Sequence, residues 1–167
     1  MSKAILFVVL FIAGLLNQVS AADAEQPTWG ELNELFGLDI KSPVVTAFRN
    51  KYKLSISTKP QTLNPEDRSF SINYSQDKIE SLHLRIAPHG FGEPNWASFA
   101  GELPYGLSKT DKKADIIEKL GKPLEIFGPG VYSDDWDYKE HRISVSFGGK
   151  DSHIEKIRFS LRPKKTK

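Results

Sequence analysis

Two stretches of this chain carry the same hydrophobic pattern roughly seventy residues apart, and that repetition restricts the fold more than any other feature of the sequence. The downstream copy begins LPYGLSKTDKKADIIEKLGKP over 103–123. Ser108 or Thr110 can cap a helix there, and Ser108-x-x-Asp111 has the form of a capping box. Ala114, Ile117 and Leu120 form an apolar stripe widened by Ile116, with charged residues on the opposite side. Gly121 suits a left-handed helix terminus, and Pro123 forbids continuation. Strand signals follow. VYSDDWDY over 131–138 reads as the first strand, Ile143, Val145 and Phe147 alternate with serines in the second, and Ile154, Ile157, Phe159 and Leu161 mark the third. The Gly148-Gly149-Lys150-Asp151 turn separates the last two.

The upstream copy is weaker, with Lys51-Tyr52-Lys53-Leu54 in place of the Leu-Gly-Lys-Pro stop, but it keeps the hydrophobic offsets. Phe36-Gly37-Leu38 parallels Tyr105-Gly106-Leu107, and Val45 and Phe48 stand at the same offsets from Gly37 as Ala114 and Ile117 do from Gly106. Phe70, Ile72 and Tyr74 alternate with polar residues, and Ile79, Leu82, Leu84 and Ile86 repeat the spacing of Ile154, Ile157, Phe159 and Leu161. Pro43 fits the first turn of the upstream helix. Ser55 to Asp67 is polar and contains prolines, as a long loop or an edge strand would. The pattern predicts an α+β protein made of two tandem helix-plus-antiparallel-meander repeats, forming one curved sheet with helices packed on one face. The divisions are a first α/β repeat over 22–88, a Gly/Pro-rich connector over 89–102 pinned by Phe91, Trp96 and Phe99, a second α/β repeat over 103–162, and a basic tail over 163–167.

Residues 1–21 read as a signal peptide: Lys3, an apolar run from Ala4 to Leu16, and Val19-Ser20-Ala21 as the cleavage site. The expected product starts near Ala22 and is periplasmic or secreted, with no membrane span in the mature chain. The 167-residue sequence contains no cysteine, which removes thiol nucleophiles and thiolate metal sites and leaves apolar burial to hold the fold. Its formal charge is only +2 and the terminal residues carry much of the basic excess, so nucleic-acid binding has no electrostatic footprint.

The Gly-Leu step, the Leu-Gly-Lys-Pro helix stop at 120–123 and the Trp-Asp-Tyr strand at 136–138 resemble the helix-then-sheet module of the SmpA/OmlA superfamily. Two such modules in tandem resemble the fold of the β-lactamase inhibitor proteins. That resemblance implies a curved sheet with helices behind, a concave face in front, and a protein partner.

The residues offer catalysis little. His83, His89, His141 and His153 show no helical metal-pair spacing, and each falls in a strand or loop where a solvated histidine is the ordinary reading. Ser133-Asp134-Asp135-Trp136-Asp137 lacks the Gly and the terminal Glu of a calcium loop. No cofactor, metal or enzymatic activity is expected. Binding fares better, because an antiparallel sheet with helices on one side leaves its other face open. Asn73, His83, Arg85, Ser144, Ser146, Arg158 and Ser160 fall on that face when the apolar sets point inward. Tyr132, Asp134, Trp136 and Tyr138 share one side of the adjoining strand, with Trp136 readable either as core or as interface. The expected partner-binding set is therefore Tyr132, Asp134, Trp136, Tyr138, Asn73, His83, Arg85 and Arg158. The functional expectation is an exported immunity protein or inhibitor that blocks a toxin or an envelope-acting enzyme. An envelope assembly or scaffold protein is the alternative, and a periplasmic hydrolase using His141 and Asp135 is the second.

Overall fold

The computed structural model describes residues 25–87, 96–126, 133–148 and 153–162. The expected signal peptide and basic tail lie outside them. In chain order the elements are α1 (Trp29–Asn33), α2 (Pro43–Lys51), β1 (Ser55–Thr58), β2 (Gln61–Asn64), β3 (Phe70–Ser75), β4 (Lys78–Arg85), α3 (Lys113–Leu120), β5 (Glu125–Ile126), β6 (Ser133–Tyr138), β7 (His141–Gly148) and β8 (His153–Leu161).

The strands make one antiparallel eight-stranded sheet in the order β1-β2-β3-β4-β8-β7-β6-β5. From α2 to β4 and from α3 to β8 the element order is the same, a helix and then four strands, and the sheet order mirrors itself about the β4–β8 pair. Each half has one strand more than the three expected, because Ser55–Thr58 and Glu125–Ile126 form short edge strands. The polar stretch after residue 54 is thus a hairpin, β1 against β2. In each half the segment leading into the helix makes a single antiparallel bridge to the first residue of that half's last strand, Asp39 to Lys78 and Lys112 to His153.

The three-residue step at Ile79–Leu82 and Ile154–Ile157 has a physical cause. The β3–β4 register shifts between Asn73 and Tyr74, and the β7–β8 register between Ser146 and Phe147. The shifts leave Glu80 and Glu155 as extra residues. A bulge absorbs one residue without reversing the faces on either side of it, so Ile79 and Leu82, like Ile154 and Ile157, all remain buried.

Leu63, Ile72, Leu82, Phe159, Ile143 and Trp136 stand in one row across six strands. Each is at most 1% exposed. Full burial of such side chains contributes about 1.5–3 kcal/mol each. Leu32, Val45, Phe48, Ile116 and Leu120 from the helices, and Leu35 from the turn after α1, join the same cluster, which places all three helices on one face.

Local chemistry fixes each helix. The Ser42 hydroxyl accepts from Val45 N–H at 3.3 Å, with Pro43 in the first turn of α2. In α1, Thr28 and Glu31 form a reciprocal capping box, and the Tyr52 hydroxyl donates to the Glu31 carboxylate at 2.9 Å. That short helix carries a Thr-x-x-Glu signal that the repeat pattern overlooked. α3 starts later than its sequence suggests: Ser108 N–H donates to Asp111 Oδ2 in a preceding turn, and Asp115 accepts from Lys112 N–H at the helix start. Its expected stripe is also corrected. Ile116 and Leu120 are buried, whereas Ala114 is exposed and Ile117 is 36% exposed. The i, i+4 pair presents one face, and the adjacent isoleucine is turned away from it. Gly121 ends the helix with a positive φ of +85°, but its ψ of −170° is extended and not the left-handed helical value expected.

Candidate functional site

The outward sides of the strands make a continuous polar face. Thr62, Asn73, Ser81, Ser160, Arg142 and Asp137 form one row from β2 to β6. The next row runs Ser71, His83, Arg158, Ser144, Asp135. A third carries Arg85, Lys156, Ser146 and Ser133. Ser81 is 2% exposed and Thr62 7% exposed, although both face away from the helices. These short side chains form a floor screened by longer neighbours.

Near the middle, Asn73 Nδ2 donates to His83 Nε2 at 3.3 Å, an arrangement that places the ring proton on Nδ1. Asn73 Oδ1 is buried without a hydrogen-bond donor. Burial, then the cations Arg158, Lys156 and Arg85, pushes His83 down to about 4, so the ring is neutral near neutral pH. The Ser81 hydroxyl lies 3.5 Å from His83 Nε2, on the screened floor. Arg85 stacks over the Trp96 ring. Towards β6, Asp137 accepts from Arg142 Nε at 3.0 Å and pairs with Arg162 Nε at 3.2 Å. The Arg142 hydrogen bond is the main cause holding that carboxyl below the usual range.

Of the eight residues expected to bind a partner, the fold brings Asn73, His83, Arg85 and Arg158 together on this face. The other four are not there. Tyr132 lies outside the described residues. Asp134 is 2% and Trp136 1% exposed, because the pairing of Trp136 with Ile143 turns this side of β6 into the core. Asp134 Oδ2 meets Lys113 Nζ at 2.7 Å in an ion pair. Tyr138 is half-buried, packed edge-on to Tyr105 at 5.0 Å. The expected partner-binding set is therefore corrected: Asp134 and Trp136 belong to the core, and β6 contributes Asp135 and Asp137 to the sheet face instead. The signal for those two lay in the alternation itself: with Trp136 inward, its neighbours face out.

The histidines also divide. His153 is exposed and His89 lies outside the described residues. His141 is not solvated as expected. It is fully buried among Trp29, Phe36, Tyr105 and Phe159, hydrogen-bonded through Nδ1 to the Tyr105 hydroxyl. Burial lowers its pKa and raises that of Tyr105 to about 12. Among the described residues no group of three or more His, Asp or Glu is placed to hold a metal, and no helix is long and apolar enough to cross a membrane.

No protein family matches the chain, and no curated protein does. Among solved structures it is similar to an extracellular protein containing a SCP domain from Bacillus anthracis, at 10% identity and TM-score 0.49, covering 87% of this chain and 49% of that one. It is also similar to a cysteine-rich secretory protein from Staphylococcus aureus, at 12% identity and TM-score 0.47, covering 83% and 48%. A DUF4309 family protein from Bacillus subtilis aligns at 15% identity and TM-score 0.34, covering 87% and 86%. The chain thus spans about half the length of the first two, which are described as extracellular and secretory.

Proposed function

We propose that this is an exported, non-catalytic binding protein whose polar sheet face docks onto another protein, blocking a toxin or an envelope-acting enzyme as an immunity protein or inhibitor does. The supporting observation is the convergence of Asn73, His83, Arg85 and Arg158, from three adjoining strands, on a face that no helix covers among the described residues. Export rests on the leader-like residues 1–21. The mirrored element order, the paired bridges and the paired bulges favour tandem duplication of a module like that of the SmpA/OmlA superfamily. Against a hydrolase stands the placement of its candidate base, since His141 is enclosed by aromatic rings while Asp135 faces the other side of the sheet.

The test compares the tagged mature chain with Ser144→Trp, which adds bulk and no charge to the open face. Each is incubated with envelope extract from the producing strain and its competitors. A single protein held stoichiometrically by the wild type and lost by Ser144→Trp is the expected result. Equal capture by both, or capture by neither, overturns the reading.

A further inference from the structure

Building on that docking reading, we propose that the segment seated on this face is an acidic, extended stretch of polypeptide whose carboxylates are received by Lys156 and Arg158. Outward residues of β4 and β8 face each other in register, His83 opposite Arg158 and Arg85 opposite Lys156. Like charges set directly opposite destabilise a ladder; Arg85 stacks over Trp96, and Lys156 faces it across the strand pair. Lys156 and Arg158 are both exposed, and no carboxylate among the described residues pairs with either.

Among the described residues, the nearby carboxylates lie off this centre. Asp137 is held by Arg142 and Arg162. Glu155 reaches over Gly148 at one end of the seam. Asp135 shares the row of Arg158, with Ser144 on the strand between them. On β7 the two cations are flanked only by Ser144 and Ser146, short neutral residues over which a ligand can approach closely. His83, held neutral, adds no charge.

The spacing selects the ligand. Lys156 and Arg158 are two residues apart on one strand, about 7 Å, which matches alternate side chains of an extended peptide bearing Asp or Glu at every second position. A nucleic acid would call for a broader basic field, and the whole chain carries only +2.

The probe is a short fluorescent peptide alternating glutamate and serine, titrated by anisotropy into the full mature chain at low ionic strength. Binding should weaken about tenfold in K156E/R158E, fall as salt is raised, survive in K156R/R158K, and vanish when glutamine replaces glutamate. Circular dichroism confirms that the variants fold, and K156Q/R158Q provides a milder pair should charge reversal disturb β8. Undiminished binding by the reversed variant, no binding by the wild type, or tighter binding of inorganic phosphate or duplex DNA at the same two cations overturns the proposal. The capture experiment separates the two ideas. A partner lost by Ser144→Trp but kept by K156E/R158E removes the acidic segment and leaves the docking face. A partner kept by both removes the face as well.

Discussion

The indole Nε1 of Trp136 donates to the carbonyl oxygen of Gly121 at 2.8 Å, so the helix stop of α3 is fastened to the core residue of β6. Gly121 holds φ +85° and ψ −170°, a conformation reached essentially by glycine alone, and this directs its carbonyl toward the ring. Trp136→Phe removes the donor and leaves a void, and is expected to lower the unfolding free energy by about 2–3 kcal/mol. Gly121→Ala meets no atom within 4 Å, so its cost is backbone strain, about 1–2 kcal/mol. Urea denaturation of both variants checks this. A Gly121→Ala protein as stable as wild type would refute the conformational argument.

Asp134 and Lys113 give a second measurement. The Asp134 side chain is 3% exposed and that of Lys113 37%, so loss of the ammonium leaves a buried carboxylate beside a partly wet site. Lys113→Met should cost about 2 kcal/mol or more, and adding Asp134→Asn should recover part of that loss. A double-mutant cycle reads the coupling directly.

Acid should weaken the fold through its buried imidazoles. His83 and His141 both have lowered pKa values, so the unfolded chain takes up protons first as pH falls. Their contribution is complete above the ordinary value of 6.5 and, for His83, is lost as pH drops toward about 4. For His83 the loss between about pH 7.5 and pH 5 is on the order of 2 kcal/mol. Denaturation midpoints at the two pH values should converge in His83→Gln; an unchanged difference would show that another group carries the dependence.

The bulges predict an asymmetry between deletions. Removing Glu80 leaves Ile79 and Leu82 on the core face and should cost no more than about 3 kcal/mol. Removing His83 forces one side of β4 to present its apolar residues to water, and that chain should fail to fold. Soluble yield and far-ultraviolet circular dichroism distinguish them.

Much of this architecture was legible because alternation is local. Phe70, Ile72 and Tyr74, and likewise Ile143, Val145 and Phe147, declare their own facing through period two, and the repeated three-residue step announced a shared irregularity before its cause was visible. What escaped depended on distant partners. Either side of Ser133 to Tyr138 could have faced inward on local grounds; Lys113 from α3 makes a buried Asp134 tolerable, and the Gly121 carbonyl satisfies the Trp136 indole. His141 was misread for the same reason, since Tyr105 and Trp29 come from well outside its strand. In α3, two adjacent isoleucines made the buried face ambiguous until the sheet selected Ile116.

The central position of β8 has a consequence for biosynthesis. The ladder that unites the two halves belongs to the last of the eight strands to leave the ribosome. Until it arrives, β4 and β7 are nascent edges with bare amide and carbonyl groups, open to pairing with any neighbouring chain. A translation product that stops short of His153 would thus retain seven strands and most of the apolar interior yet lack the keystone, and insoluble inclusion material rather than a smaller folded unit is its expected fate.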